Sequence, residues 1–254
     1  MAIHSDRGGS IVDCDVLIVG GGIVGLSQAW AAAREGNRVI VLDRRPASLG
    51  ASVRNFGMIW PIGQPPGTRL ELALRSVERW RDLADLTGIY RRECGSLFVA
   101  TDDDEADVMR EFAAKSDALG YETEFLSAAQ AAARSPLVRT DTVVGGLASK
   151  TELNVDPREA MPALASMLTD RDVGIHYETF VAGITDRIAS TTDGRRFRGR
   201  RVMICQGDDA SHLYGDIMRN ADVFSCKLHM MRTPPITHDM GVMLATGLTL
   251  RHYR

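Results

Sequence analysis

The chain has 254 residues, room for one large domain or two modest ones and enough to bury a sizeable core. At 44% hydrophobic and 25% charged residues, with 24 glycines and 9 prolines, its composition excludes wholesale disorder and a fibrous repeat. Lys+Arg 30 against Asp+Glu 33 gives a net charge of -3, so neither nucleic acid nor an anionic lipid surface is an expected partner.

Residues 1–10 read as a frayed terminus. Val16-Leu17-Ile18-Val19 is a short β-branched run of the kind that forms a strand buried on both faces. Three glycines follow, then an alanine-rich helix over 23–35 that Gly36-Asn37 ends. Residues 38–42 form a second buried strand ending at Asp43, which makes a β-α-β unit with parallel strands. Residues 16–33 carry no charge, but the three glycines weaken a membrane helix. Asp13 and Asp15 stand where a signal peptide would be basic, so neither a span nor a leader is expected.

A long irregular stretch reaches Gly67, and its apolar content (Phe56, Met58, Ile59, Trp60) favours an ordered loop. Helical spacing covers 68–86. A strand follows at 97–100, then a helix from Asp102 to about 119 with acids at its positive end. Strand-like runs at 121–125 and 143–148 flank a short helix over 127–134, and Asp156-Pro157 opens a helix to about 168. Residues 174–177 and 180–181 suggest further strands, and 201–205 another buried strand ending at Gln206-Gly207. Asp208-Asp209 reads as a helix N-terminus and Met230-Met231 as β core. The basic run 195–201 reads as a solvated hairpin turning at Asp193-Gly194. Residues 241–253 are strand-like, and the chain stops at Arg254 within that element, which reads as a C-terminal truncation.

Gly20-x-Gly22-x-x-Gly25 follows a strand and opens a helix, with Asp43 at the tip of the next strand. Gly20 permits the tight turn, Gly22 admits a pyrophosphate to the backbone and Gly25 lets the helix pack close to the sheet. The helix N–H groups bind phosphate, and Asp43 accepts from an adenosine ribose. This is a dinucleotide-binding fingerprint, and by itself it does not separate FAD from NAD.

The segment 50–59 (GASVRNFGMI) resembles the flavin-contacting segment of the D-amino-acid oxidase and glycine oxidase family. Gly95-Ser96-Leu97-Phe98-Val99-Ala100, Val155-Asp156-Pro157 and the strand ending at Gln206-Gly207 agree with it in order. Residues 54–64 and 248–253 further resemble a bacterial branch linked to aminophosphonate breakdown. The resemblance implies an α/β fold: a Rossmann-type FAD-binding domain over 12–88 and 141–220, with an inserted antiparallel α+β substrate domain over 89–140 and 221–254. It implies FAD as cofactor, with Gly20, Gly22, Ile23, Val24 and Gly25 at the pyrophosphate and Asp43 and Arg44 at the adenosine end. Ala51, Ser52, Asn55, Phe56, Gly57 and Met58 would line the flavin, with Val181 near the adenine and Gly207 closing the set. Arg54 reads equally as a solvated loop charge, and Asn55 as a turn former.

The implied reaction is oxidation of a small amine or amino acid to an imine, by hydride transfer to flavin, with oxygen or another acceptor taking the electrons. Relatives continue to a last strand and helix that this chain does not contain, leaving Arg251 and Tyr253 as candidates for an anionic substrate. Three other readings stay open: another FAD enzyme such as a flavin monooxygenase, a non-catalytic dinucleotide-binding fragment or subunit, and a purely structural or misfolding fragment. The histidines show no metal spacing, and no nucleophile sits on a recognisable elbow. Cys14, Cys94, Cys205 and Cys226 lie far apart, which argues for a reducing cytoplasm and against a disulfide framework.

Overall fold

The computed structural model describes residues 10–209, 211–223, 226–247 and 249; Arg251 and Tyr253 lie outside the described residues. Strand β1 (Ile11–Val19) leads through the glycines into helix α1 (Ile23–Arg34), and Gly36, at φ 76°, ends that helix before β2 (Val39–Leu42). Turns then lead to β3 (Met58–Ile59) and a single 3-10 turn at Pro61–Gly63. Helix α2 (Thr68–Thr87), stopped by left-handed Gly88, is followed by β4 (Arg91–Arg92) and β5 (Ser96–Ala100). Helix α3 (Asp103–Ser116) carries Asp103, Asp104 and Glu105 in its first turn, where the helix dipole favours acids.

Next come β6 (Thr123–Ser127) and α4 (Ala128–Arg134), which starts at a reciprocal Ser127–Gln130 capping box. The chain continues through β7 (Gly145–Ser149), β8 (Leu153–Val155) and α5 (Pro157–Thr169). It closes with β9 (Gly174–His176), β10 (Val181–Thr185), β11 (Ile188–Thr191), β12 (Arg196–Ile204), α6 (Gly215–Asn220) and β13 (Met243–Thr246).

By packing, the chain divides into two compact units, Met1–Asn55 with Pro157–His229 and Phe56–Asp156 with Met230–Arg254. The seams fall at 55/56, 156/157 and 229/230, where the sequence suggested 88/89, 140/141 and 220/221. The reason is side-chain burial: Leu70 of α2 packs with Phe98 and Leu147, and Val77 with Leu153 and Val155, so α2, β7 and β8 belong to the second unit.

The first unit is a six-stranded sheet in the order β10-β11-β12-β1-β2-β9. From β12 to β9 it is parallel, with Val19 level with Leu42 on one side and Ile204 on the other. The β10–β11–β12 meander is antiparallel, and its β11–β12 hairpin turns at Asp193-Gly194 with Gly194 at φ 87°. Cys14, Leu17, Val19, Ile40 and Leu42 form one core layer with Val181, Ala189, Phe197 and Leu213. Gly25, Leu26, Ala29 and Trp30 of α1 are buried as well. Each full burial of a large apolar side chain contributes about 1.5–3 kcal/mol.

The second unit holds a four-stranded sheet, β13-β5-β7-β6, and a three-stranded one, β3-β8-β4. The latter and the β5–β7–β6 ladder are antiparallel, while β13 joins β5 in parallel. Trp60 stacks on Phe98 at 5.5 Å between ring centroids.

Two local expectations are corrected. Met230 and Met231 belong to no strand, and Met231 is 95% exposed, because no strand pairs with that segment. Asp208 and Asp209 lie in a turn ahead of α6 rather than at its N-terminus; Asp209 takes its own loop's N–H groups instead. Among the described residues no helix is long and apolar enough to cross a membrane, and no cluster of three metal-ligating side chains occurs.

Candidate functional site

A groove opens in the first unit at the carboxyl ends of β1, β2 and β12, where a parallel sheet of this kind leaves a crevice. Its floor is the turn between β1 and α1. Gly20 sits at φ 113°, and a Cβ there would lie 2.1 Å from the Cys205 carbonyl oxygen. A Cβ on Gly25 would lie 1.8 Å from the Gly20 carbonyl oxygen, so α1 approaches the strand as only glycine permits. Gly22 is the helix N-cap, in extended conformation, and has no side chain with which to cap. The Ile23 N–H instead donates to Ser52 Oγ at 2.9 Å.

Asp43 ties the end of β2 to this turn. Its Oδ2 accepts the Gly21 N–H at 2.6 Å and its Oδ1 accepts the Arg45 N–H at 2.8 Å. Its backbone is held too, the N–H by the His176 carbonyl at 2.9 Å and the C=O by the Thr179 N–H at 2.8 Å. A half-buried carboxylate is thereby fixed at the mouth of the groove, with lone pairs left over for further donors.

The opposite wall comes from residues 179–181 and 205–213. Phe180 and His212 meet at 4.5 Å between ring centroids, and the His212 ring, through Nε2, bonds the Val181 carbonyl at 2.7 Å. A carbonyl only accepts, so Nε2 carries the proton. Arg44 reaches across to Asp209 at 2.6 Å. Burial opposes the Asp209 charge, but the bonds from Ser211 and Arg44 outweigh it and hold the carboxyl below its ordinary range. Gln206 donates through Nε2 to the Leu213 carbonyl at 2.9 Å, while its buried Oε1 has no partner among the described residues.

Of the residues singled out in the sequence, Gly20, Gly22, Asp43, Arg44, Ala51, Ser52, Val181 and Gly207 all line this groove. Ile23, Val24 and Gly25 form the first turn of the helix beneath it, with Val24 exposed. Asn55 is turned onto its own loop, donating to the Ala51 and Ser52 carbonyls at 3.0 Å each. Phe56, Gly57 and Met58 belong to the second unit: Phe56 is exposed, and Met58 pairs with Asn154. Sequence reasoning missed Ser48, Phe180, Gln206 and His212. Each reaches the groove through a loop with no motif of its own, and only the acid-rich turn after Gly207 hinted at it.

A family model described as FAD dependent oxidoreductase matches residues 15–252. The chain is 27% identical over 208 residues to the L-2-hydroxyglutarate dehydrogenase of Escherichia coli (strain K12), covering 78% of this chain and 49% of that protein. It is 26% identical over 292 residues to the D-amino acid dehydrogenase of Methylobacterium sp. (strain 4-46), covering 91% of this chain and 69% of the relative. The crystal structure of glycine oxidase from Geobacillus kaustophilus superposes with a TM-score of 0.73 at 24% identity, over 81% of this chain and 58% of that one. The chain thus spans about half the length of the first of these relatives. With a match that runs from β1 past β13, the chain belongs to the FAD-dependent oxidoreductase family.

Proposed function

We propose that the first unit binds FAD in the groove above the glycine turn and that the protein oxidises a small amine or amino acid. The observation that carries this reading is the Asp43 carboxylate held on the Gly21 N–H at 2.6 Å, beside the N-terminus of α1, which supports its reading as a ribose acceptor next to a phosphate site. The groove fits the cofactor on two further counts. The Gly22 N–H has no partner among the described residues, and Gln206 Oε1 is a buried acceptor awaiting a donor.

In this reading Gly20, Gly22, Ile23, Val24 and Gly25 shape the turn and helix start at the pyrophosphate, which the Gly22 N–H and the helix dipole would hold. Asp43 takes the ribose hydroxyls with Arg44 at the same adenosine end, while Val181 borders the base. Ala51, Ser52, Asn55 and Gly207 of the first unit serve the remainder of the cofactor, and the second unit serves the substrate. When bound, FAD supplies a two-electron acceptor for the hydride on the carbon beside the nitrogen, leaving an imine that water hydrolyses. Arg251 and Tyr253 are assigned to the substrate anion, a carboxylate or, by the resemblance of residues 54–64, a phosphonate. Oxygen or another acceptor then takes the electrons, and the four free thiols suit a cytoplasmic setting.

The test is a visible absorption spectrum of the chain after incubation with FAD and desalting, followed by anaerobic titration with glycine, sarcosine, a D-amino acid, an aminophosphonate and L-2-hydroxyglutarate. Retained flavin bands bleached by an amine are expected. No retained flavin overturns the binding site, and bleaching by the hydroxy acid alone overturns the substrate class.

A further inference from the structure

We propose that Ser48 is a positioning residue that sets the orientation of the Gly21–Gly22 peptide for a pyrophosphate. The inference rests on the dinucleotide reading of the groove and goes beyond it, because this side chain does not belong to the glycine fingerprint. Ser48 lies five residues past Asp43 in the turn that follows β2, and its Oγ donates to the Gly21 carbonyl. Ser48 thus commits its one hydroxyl proton to the Gly21 carbonyl.

The consequence follows from peptide geometry. A trans peptide is planar, with its C=O and N–H pointing opposite ways. Holding the Gly21 carbonyl on Ser48 directs the Gly22 N–H away from Ser48, and that N–H has no partner among the described residues. The Gly21 N–H is already fixed on Asp43 at 2.6 Å, so the glycine is gripped on both sides. Glycine is the residue most free to rotate its peptides. Without the Ser48 grip the Gly21 carbonyl could turn toward the groove, and a carbonyl oxygen facing a phosphate repels it. Ser48 thus favours the peptide orientation that gives an anion a donor rather than an acceptor. Gly22 and Ser48 both line the groove, which puts this device at the ligand.

The device acts on the phosphates alone, and that makes it separable from a general loosening of the loop. Affinities for FAD, ADP and adenosine are measured by fluorescence titration and competition on the full chain and on Ser48→Ala, Ser48→Thr and Ser48→Cys. Expected are a five- to tenfold weaker ADP and FAD affinity for Ser48→Ala, an adenosine affinity within twofold of the parent, and recovery in Ser48→Thr, which keeps the hydroxyl. Ser48→Cys, whose thiol is a weak donor, should weaken ADP two- to threefold and leave adenosine unchanged; it carries the test if Ser48→Ala does not fold. Equal losses for ADP and adenosine, or no loss for either, overturn the proposal while leaving the groove a dinucleotide site. A parent chain that binds none of the three ligands overturns both.

Discussion

Gly20 and Cys205 meet backbone to backbone: a methyl group on Gly20 would lie 2.1 Å from the Cys205 carbonyl oxygen, at a φ of 113° that L-residues avoid. The end of β1 is locked to the residue after β12, whose own N–H donates to the Val19 carbonyl at 2.7 Å. Gly20→Ala should therefore cost more than the ordinary glycine penalty. Left-handed strain alone costs about 1–3 kcal/mol, and the overlap with a carbonyl that cannot rotate away adds to it. Urea unfolding followed by circular dichroism should show a midpoint clearly below the parent's, and an unchanged midpoint would contradict the contact.

How legible this was from sequence depends on the range of the signal. The first β-α-β unit was readable because everything that specifies it is local: a β-branched run, three glycines, an alanine-rich helix and an acid at the next strand's tip. Strands β3 and β4 have two residues each and β8 three, too short for any alternation to register. Met230-Met231 carried a strand's composition without a partner to pair with, and strand propensity reflects packing more than backbone preference. Phe180, Gln206 and His212 reach the groove only because the sheet brings residues 137 to 169 positions downstream beside Asp43, as the 165-residue separation of Arg44 and Asp209 illustrates. Arg44 itself was legible; its partner was not, since a pair of acids after Gly207 reads equally as a helix start.

His176 supplies a pH dependence whose sign is fixed. Burial, and secondarily the charge of Arg195, lowers its pKa beneath the ordinary 6.5, while its ring packs on Phe197 at 5.3 Å. The folded state then binds a proton less readily than the unfolded chain. Stability is full above the unfolded pKa and declines as pH falls through about 6.5 toward the folded value. Denaturant midpoints at pH 7.5 and 5.5 should differ in that direction, and His176→Gln should shrink the difference. A midpoint that rises on acidification in this window would refute the assignment.

The four thiols should label in an order set by burial. Cys226 is exposed, Cys94 and Cys205 are partly covered with pKa values raised by burial, and Cys14 is buried with its thiol pushed up to about 11. Only the thiolate attacks an alkylating agent. At pH 8 iodoacetamide should modify Cys226 first and Cys14 last, as read by peptide mass spectrometry over time. Early modification of Cys14 would mean that β1 does not hold its place between β12 and β2.

Phe197, near the start of β12, is 1% exposed and belongs to the same core layer as Leu17, Leu42 and Val181. Truncation to alanine should cost about 3–5 kcal/mol, the range for an aromatic removed from a packed core. Since β12 also carries Cys205 and Gln206 to the groove, the loss should reach the ligand site when the variant is partly unfolded, and only then. A fluorescence titration with ADP at low temperature, where Phe197→Ala is still folded, should return an affinity within about twofold of the parent's.

Asp43→Ala separates the carboxylate from the fold around it. The side chain is half-buried and accepts two backbone N–H groups, from Gly21 and Arg45, while the Asp43 backbone stays paired to His176 and Thr179 whatever the side chain. The strand end should therefore keep its place, with a stability loss of about 1–3 kcal/mol for two N–H groups deprived of a charged acceptor. Ligand affinity should fall further than stability suggests, because the ribose loses its acceptor and the Gly20–Gly21 peptide loses the restraint on its N–H. About tenfold weaker FAD binding is expected, equal to about 1.4 kcal/mol. Unlike Ser48→Ala, this variant should weaken adenosine and ADP together, since the ribose is common to both. Asp43→Glu, which keeps the acceptor on a longer stem, should recover part of the loss, and an Asp43→Ala chain that binds adenosine as the parent does would remove Asp43 from the ribose site.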